Sequence, residues 1–426
     1  MSSFRASPWR VIMRATGPLL RRRASTPAVG SRITALREVL SQEVAPGMEL
    51  DLCKLQECLQ SKFDGIHADY FGKDARRPHV RQRDRWTYEL NFAHPACFPL
   101  WLRIHDRAAH EFHINVALHA HQESTDGLRP GLPVPQPFIL IEDCEIMGKP
   151  FFVSAAVQGR TFFDAAFTDA PDAVNVAGVA NARMGSMSTK AFLAPPEERR
   201  GLQESLFHLA AAVHSLDSAA LGLEQQLPQQ LDGGLRELAR MATEVFHAWS
   251  AMAREDARLS GLMEELMRWL PTAIPAADED APLRCLVHGD LHVEHLVFHS
   301  REPTVLAVRG WEGGGQGHPG ADLALLALPY ITPATLNTKH QGFGLPPARE
   351  ALGLPSLDAL LDAYVDRTGF HRVREHFDFY LALACYRVAA ATASRPEPTP
   401  DELRFAAQMA GAGVGCAQRY RLQCGA

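Results

Sequence analysis

One stretch constrains the fold of this 426-residue chain more than any other: Leu286-Val287-His288-Gly289-Asp290-Leu291-His292-Val293-Glu294-His295. An apolar lead, a glycine turn and a carboxylate directly after it read as β structure ending in a tight loop. Such a loop can aim Asp290 into a cleft as a base. Val308-Arg309-Gly310-Trp311-Glu312 and Gly317-His318-Pro319-Gly320-Ala321-Asp322-Leu323 follow closely. They read as a short strand pair and a polar turn feeding a helix. Chemistry of this kind normally has metal-binding side chains close behind the base, and the places to look for them hold His295 and Gly310.

A hydrophobic content of 46% lets a chain of this length bury a sizeable core and divide into two lobes. The longest apolar run, Leu323 to Ile331, contains Pro329 and is too short to span a bilayer, so no transmembrane segment is expected. The 8 cysteines form no C-x-x-C pair, which argues for reduced thiols rather than a zinc knuckle. Residues 1–32 carry seven arginines and no acid, with Phe4, Trp9, Ile12 and Leu19 among them. Basic, amphipathic and acid-poor, they predict a mitochondrial presequence and a matrix address. Without them the net charge moves from −6 to −13, because seven positive charges leave and no negative ones do. An acidic body of that kind has no broad basic surface for nucleic acid.

Leu52, Leu55, Leu59 and Phe63 recur at helical spacing. Trp86 to Leu90 and Pro99 to Ile104 predict paired strands, and Ala108 to Ala120 a helix carrying Glu111. After the proline-rich 133–137, Phe138-Ile139-Leu140-Ile141 and Phe151-Phe152-Val153 predict two more strands. This order gives a small α+β lobe over 45–160. Residues 161–194 have weak periodicity and predict a mobile insertion. A helical lobe over 195–426 follows, with Leu202, Leu206, Leu209 and Val213, then Leu235 to Leu270, Leu357 to Thr368 and Phe377 to Ser394.

Taken in order, several motifs resemble the aminoglycoside phosphotransferase and choline kinase superfamily. They are Leu100-Trp101-Leu102-Arg103, Val134-Pro135, Gly148-Lys149-Pro150-Phe151, Val157-Gln158-Gly159-Arg160, Val213-His214-Ser215, His288-Gly289-Asp290, Trp311-Glu312 and Gly317-His318-Pro319. Asp322-Leu323 and Leu352-Gly353-Leu354-Pro355-Ser356 extend the series. The nearest branch is the kinase-like domain fused to some mitochondrial acyl-CoA dehydrogenases, with agreement over about 45–395. The resemblance implies the bilobal protein-kinase-like fold, α+β, with a sheet-containing N-lobe and a larger, mainly helical C-lobe. It also implies ATP and Mg²⁺ as cofactors, Asp290 as the catalytic base, and Arg103 as the cation on the phosphates with Glu111 as its partner. The plainer alternative for Arg103 and Glu111 is an ion pair between two elements.

Three positions depart from the family pattern. The glycine-rich phosphate cover reads Arg81-Gln82-Arg83-Asp84-Arg85, which hinders close backbone approach to phosphates. The metal-binding Asn is His295, and the metal-binding Asp is Gly310. Mg²⁺ prefers oxygen, so an imidazole and a glycine make a degenerate site. His292 and His295 have H-x-x-H spacing, but the sequence offers no third ligand and no zinc site is expected. His318 and Asp322 are expected to brace the catalytic loop and cap the next helix. Two functions stay open. One is a pseudokinase serving as a binding or structural component, with protein partners in a mitochondrial assembly. The other is an active ATP-dependent phosphotransferase on a hydroxyl of a small-molecule substrate such as a hydroxyacyl-CoA.

Overall fold

A computed structural model describes residues 52–62, 79–82, 86–91, 99–124, 132–162, 165–167, 194–218, 221–223, 256–276, 283–332, 351–395 and 397–425, with 235, 239, 240, 242–244, 247, 278 and 343 besides. The expected presequence lies outside the described residues, as do 83–85 of the altered phosphate cover.

Helix α1 (Leu52–Lys62) precedes strands β1 (His79–Gln82), β2 (Thr87–Asn91) and β3 (Leu100–Ile104). Helix α2 (Ala108–Ser124), strand β4 (Pro137–Ile141), the short α3 (Cys144–Met147) and strand β5 (Phe151–Ala155) complete the small lobe. The five strands form one sheet in the order β1-β2-β3-β5-β4, antiparallel throughout. The sequence predicts no strand at β1, whose Arg81 and Gln82 belong to the altered phosphate cover. Its register, with Val80 opposite Leu90 and Arg81 opposite Glu89, comes from pairing with β2 rather than from its own apolar pattern.

All five residues of β3 are buried, and the period of two divides them. Leu100, Leu102 and Ile104 pack with Leu55, Leu59, Phe138, Phe151 and Val153 in the small-lobe core. On the other face Trp101 packs with Val297 and Ala307 of the larger lobe. Arg103 shares the parity of Trp101, so the strand pattern itself turns the guanidinium toward the interlobe cleft. The chain then crosses between lobes at Gly159-Arg160, where Arg160 and Phe298 exchange two backbone hydrogen bonds of 2.8 Å. A Cβ at Gly159 would sit 2.3 Å from the carbonyl oxygen of Phe298, so the crossing needs glycine.

The larger lobe holds α4 (Pro196–His214), α5 (Ala257–Trp269), the strand pairs β6 (Cys285–Val287) with β9 (Gly315–Gly317) and β7 (Leu296–Phe298) with β8 (Val305–Val308), and then α6 (Pro319–Ala327), α7 (Leu357–Thr368), α8 (His371–Glu375), α9 (Phe377–Ala393) and α10 (Pro400–Cys424). Alanines and glycines let these helices approach closely. A Cβ at Gly320 of α6 would meet the Tyr380 ring of α9 at 2.6 Å, and one at Gly413 of α10 would meet Cys385 at 2.9 Å.

Of the insertion expected over 161–194, residues 163, 164 and 168–193 lie outside the described residues; Phe162, Phe167 and Ala194 are buried in the large-lobe core, with the Phe162 and Phe167 rings 5.3 Å apart. Within the helical stretch Leu235 to Leu270, α5 starts afresh at Ala257, because the Asp256 carboxylate caps it by accepting from Leu259 N at 2.9 Å.

Candidate functional site

The site lies where the loop after β6 (288–295) and the turn after β8 (310–314) meet β3 and α2. Two strand registers set it. Leu296 pairs with Val308, and the next step outward is the hydrogen bond from Arg309 N to His295 O at 2.8 Å. That step lays His295 beside Gly310. Val287 pairs with Gly315, and two residues further on Gly289 lies against Gly313. Gly289 has φ +85°, and a Cβ on it would come 2.3 Å from the Gly313 carbonyl oxygen. Only glycine fits this turn, and the turn aims Asp290.

Asp322 holds the loop from below. Its Oδ1 accepts from Gly289 N at 2.9 Å and its Oδ2 from His288 N at 2.9 Å. His214 Nε2 lies 3.2 Å from Oδ2. Burial works to raise the Asp322 pKa, but the His214 bond and the nearby imidazoles outweigh it and hold the carboxyl below its ordinary range. His318 caps α6 by accepting from Gly320 N at 3.1 Å. His288 is fully buried, its pKa lowered by burial and by His295, and its Nε2 is 2.7 Å from the Arg309 carbonyl. The neutral ring therefore donates through Nε2.

The structure brings Arg103 and Glu111 together in a buried ion pair of 2.8 Å. Arg103 also donates to Thr87 Oγ1 at 2.7 Å and to Glu312 Oε2 at 3.0 Å. Glu111 accepts through Oε2 from Arg103 and His105, the latter at 2.8 Å, and through Oε1 from Gly310 N at 3.1 Å and Trp311 N at 3.3 Å. Burial pushes the Glu111 pKa up; the Arg103 charge and the His105 bond more than reverse this and hold it well below the carboxylate range. Beside it, burial pulls His110 down to about 3, so its neutral Nε2–H donates to the Gly314 carbonyl at 2.7 Å.

Asp290 is on the same cleft, its side chain 43% exposed and its Oδ2 3.5 Å from both His292 Nε2 and His295 Nε2. A chain of direct contacts thus runs Arg103, Glu111, Gly310, His295, Asp290. Sequence spacing paired His292 with His295 and found no third ligand. The folded loop supplies one in Asp290, and the donor atoms of all three lie within 4.8 Å of one another.

The Mg²⁺ that this fold implies finds no fit among these residues. Gly310 has no carboxylate, its amide is committed to Glu111, and a Cβ on it would lie 2.3 Å from His295 Nδ1. Glu312, two residues further on, is turned to Arg103. His295 presents nitrogen where Mg²⁺ takes oxygen. Glu111 and Glu312 both engage Arg103, and the charge of the neighbouring Arg107 also reaches the two carboxylates.

Comparison with known proteins accords with this architecture. Acyl-CoA dehydrogenase family member 11 of Rattus norvegicus is 30% identical over 259 residues, 61% of this chain and 28% of that protein. The chain therefore matches well under a third of that relative's length. A Ralstonia eutropha protein assigned as an aminoglycoside phosphotransferase superposes with a TM-score of 0.62 at 23% identity, covering 87% of this chain and 98% of that one. A thermostable variant of the aminoglycoside phosphotransferase APH(4)-Ia, crystallised with ADP and hygromycin B, gives 0.51 at 13% identity, covering 83% and 97%. Residues 72–376 match the phosphotransferase enzyme family as a whole, and to that family the chain belongs.

Proposed function

We propose that this chain is a pseudokinase: a phosphotransferase-fold protein that does not transfer phosphate with Mg²⁺-ATP and acts as a binding or structural component of a larger assembly. One observation carries the reading. The volume a metal-binding side chain at 310 would enter is filled by the His295 ring, 2.3 Å from where its Cβ would stand. The engagement of Arg103 by two carboxylates supports it. Relatives named as acyl-CoA dehydrogenases carry the matching segment within much longer chains. An assembly with an acyl-CoA-handling partner follows as the proposed setting. The arginine-rich, acid-free residues 1–32 support a mitochondrial address.

The retained Asp290 on its braced loop favours the second reading, a small-molecule kinase, and one experiment separates the two. The full chain is heated with ATP, with and without Mg²⁺. A ligand at 100 times its Kd stabilises a protein by about 2.7 kcal/mol, which a thermal shift resolves easily. The pseudokinase shows no Mg²⁺-dependent shift. Phosphate transfer from ATP that Asp290→Ala abolishes would sink the proposal.

A further inference from the structure

We propose that Asp290, His292 and His295 form a binding site for a borderline divalent transition metal, Zn²⁺ foremost, with its fourth position open to the interlobe cleft. The first argument is distance. Ligand atoms about 2.0–2.1 Å from a tetrahedral zinc stand about 3.3 Å from one another. Asp290 Oδ2 is 3.5 Å from Nε2 of His292 and 3.5 Å from Nε2 of His295, so these two edges need contract by only a few tenths of an ångström, and all three donors already lie within 4.8 Å of one another.

The second argument is how the backbone makes the cluster. His292 caps the 3-10 turn Val293–His295. Three residues per turn bring side chains three apart to one side, and the two imidazole centroids are 4.2 Å apart. Gly289, held left-handed against Gly313, brings Asp290 around to the same side. The three donors come from one loop that Asp322 fixes through two backbone amides.

The third argument is chemical. Two imidazoles and a carboxylate suit Zn²⁺, Cu²⁺ or Ni²⁺ and discriminate against Mg²⁺. Three protein ligands leave one position for water or an anionic oxygen, as in open zinc sites, and the 43% exposure of the Asp290 side chain puts that position on the cleft. Behind His292, Glu294 Oε2 lies 3.8 Å from Nδ1. That Nδ1 also accepts a long bond of 3.3 Å from Glu294 N. A metal on Nε2 moves the ring proton to Nδ1, exchanging this bond for one donated to the Glu294 carboxylate, a familiar support for a metal-bound histidine. Arg387, whose charge reaches Asp290, works against a cation, so the affinity falls below that of a closed four-ligand site.

The site is independent of whether ATP binds, and its test reads metal alone. The full chain is stripped with a chelator and titrated with Zn²⁺ against a chromophoric competitor. A parallel titration uses Co²⁺, whose visible absorption reports tetrahedral coordination. We expect one Zn²⁺ per chain, a tetrahedral Co²⁺ spectrum, no competition from excess Mg²⁺, and at least a tenfold loss of affinity in both Asp290→Asn and His295→Asn. Unchanged metal-free melting of those variants shows that they fold. Cys144 and Cys424 are exposed and could hold zinc adventitiously, so Cys144→Ser/Cys424→Ser must keep the binding. No uptake by the unaltered chain, uptake that survives both site substitutions, or uptake lost with the cysteines overturns the proposal. None of these outcomes bears on the ATP measurement.

Discussion

If the His295 ring occupies the volume of a missing side chain at 310, replacing either residue alone and both together must give energies that do not add. In Gly310→Asp the new Cβ stands 2.3 Å from His295 Nδ1 and 2.5 Å from Cε1, where unstrained contacts are about 3.5–4 Å. The ring has little room to retreat, with the His292 centroid 4.2 Å away on one side and His288 5.3 Å away on another. Overpacking of this kind costs about 1–3 kcal/mol. The backbone at 310, φ +80°, adds a left-handed penalty of about 1 kcal/mol, which Asp tolerates better than most residues. Gly310→Asp alone should therefore destabilise by about 2–4 kcal/mol. His295→Asn removes the ring and with it the clash, leaving the smaller backbone penalty. The double variant should be more stable than the two singles sum to, by about 1–3 kcal/mol. Urea denaturation of the four proteins measures this, provided the dependence on denaturant stays constant across the set. The double variant, which restores an acid and an amide to the metal positions, should also gain a Mg²⁺-dependent thermal shift with ATP that neither single shows. Additivity within about 0.5 kcal/mol would refute the shared-volume argument.

Three further outcomes are expected. Glu111→Gln strips the charge from a carboxylate that accepts from Arg103, His105 and two backbone amides, and should cost about 3–5 kcal/mol in chemical denaturation. Against burial, the Arg103 charge and the His105 bond hold the folded Glu111 pKa below the ordinary value of 4.5. Its contribution is therefore full above that value and lost as pH falls toward the folded pKa, so the variant's stability should decline less steeply below about pH 4.5. Gly289→Ala drives a Cβ to 2.3 Å from the Gly313 carbonyl at φ +85°; a loss under about 1 kcal/mol would contradict so tight a turn. A reporter fused behind residues 1–40 should enter mitochondria, and a cytosolic reporter removes that address.

What could be read in the sequence was whatever depends on local pattern. The strand over Pro99 to Ile104 and the helix carrying Glu111 were legible as local patterns, while the pairing of Arg103 with Glu111 was implied only by the family resemblance. The glycine before Asp290 signalled a turn that the φ of +85° bears out. What could not be read depends on register between distant segments. The contact of His295 with Gly310 needs the β7–β8 pairing, and the hold of Glu312 on Arg103 spans 209 positions. Strand β1 carries little apolar pattern of its own and exists through β2. The third metal donor was hidden for a related reason. Asp290 lies two residues before His292, a spacing without a motif, and only the left-handed turn at Gly289 folds it back onto the histidines.

The energetics of the loop bear on what it presents. Asp322 is a fully buried carboxylate, and burying one costs several kcal/mol unless hydrogen bonds and charges offset it. Here the offset comes from two backbone amides of the loop and from His214. Tyr364 in turn meets His214 Nδ1 at 2.8 Å. This network fixes the backbone of His288 and Gly289 and so the origin of the Asp290 side chain. Its rigidity does nothing for phosphate binding by itself, since Arg103 is held by Glu111 and Glu312 on the other side of the cleft. A rigid Asp290 matters for whatever that carboxylate touches, and its Oδ2 faces two imidazole nitrogens at equal distances of 3.5 Å. Asp322→Asn keeps the size but loses the charge that the two amides and His214 point at. If the loop's order serves the metal cluster, this variant should weaken Zn²⁺ binding about as much as it loosens the loop in hydrogen exchange, though Asp322 is no ligand. Zinc affinity unchanged in a loop shown to be loosened would break the link between the network and the cluster.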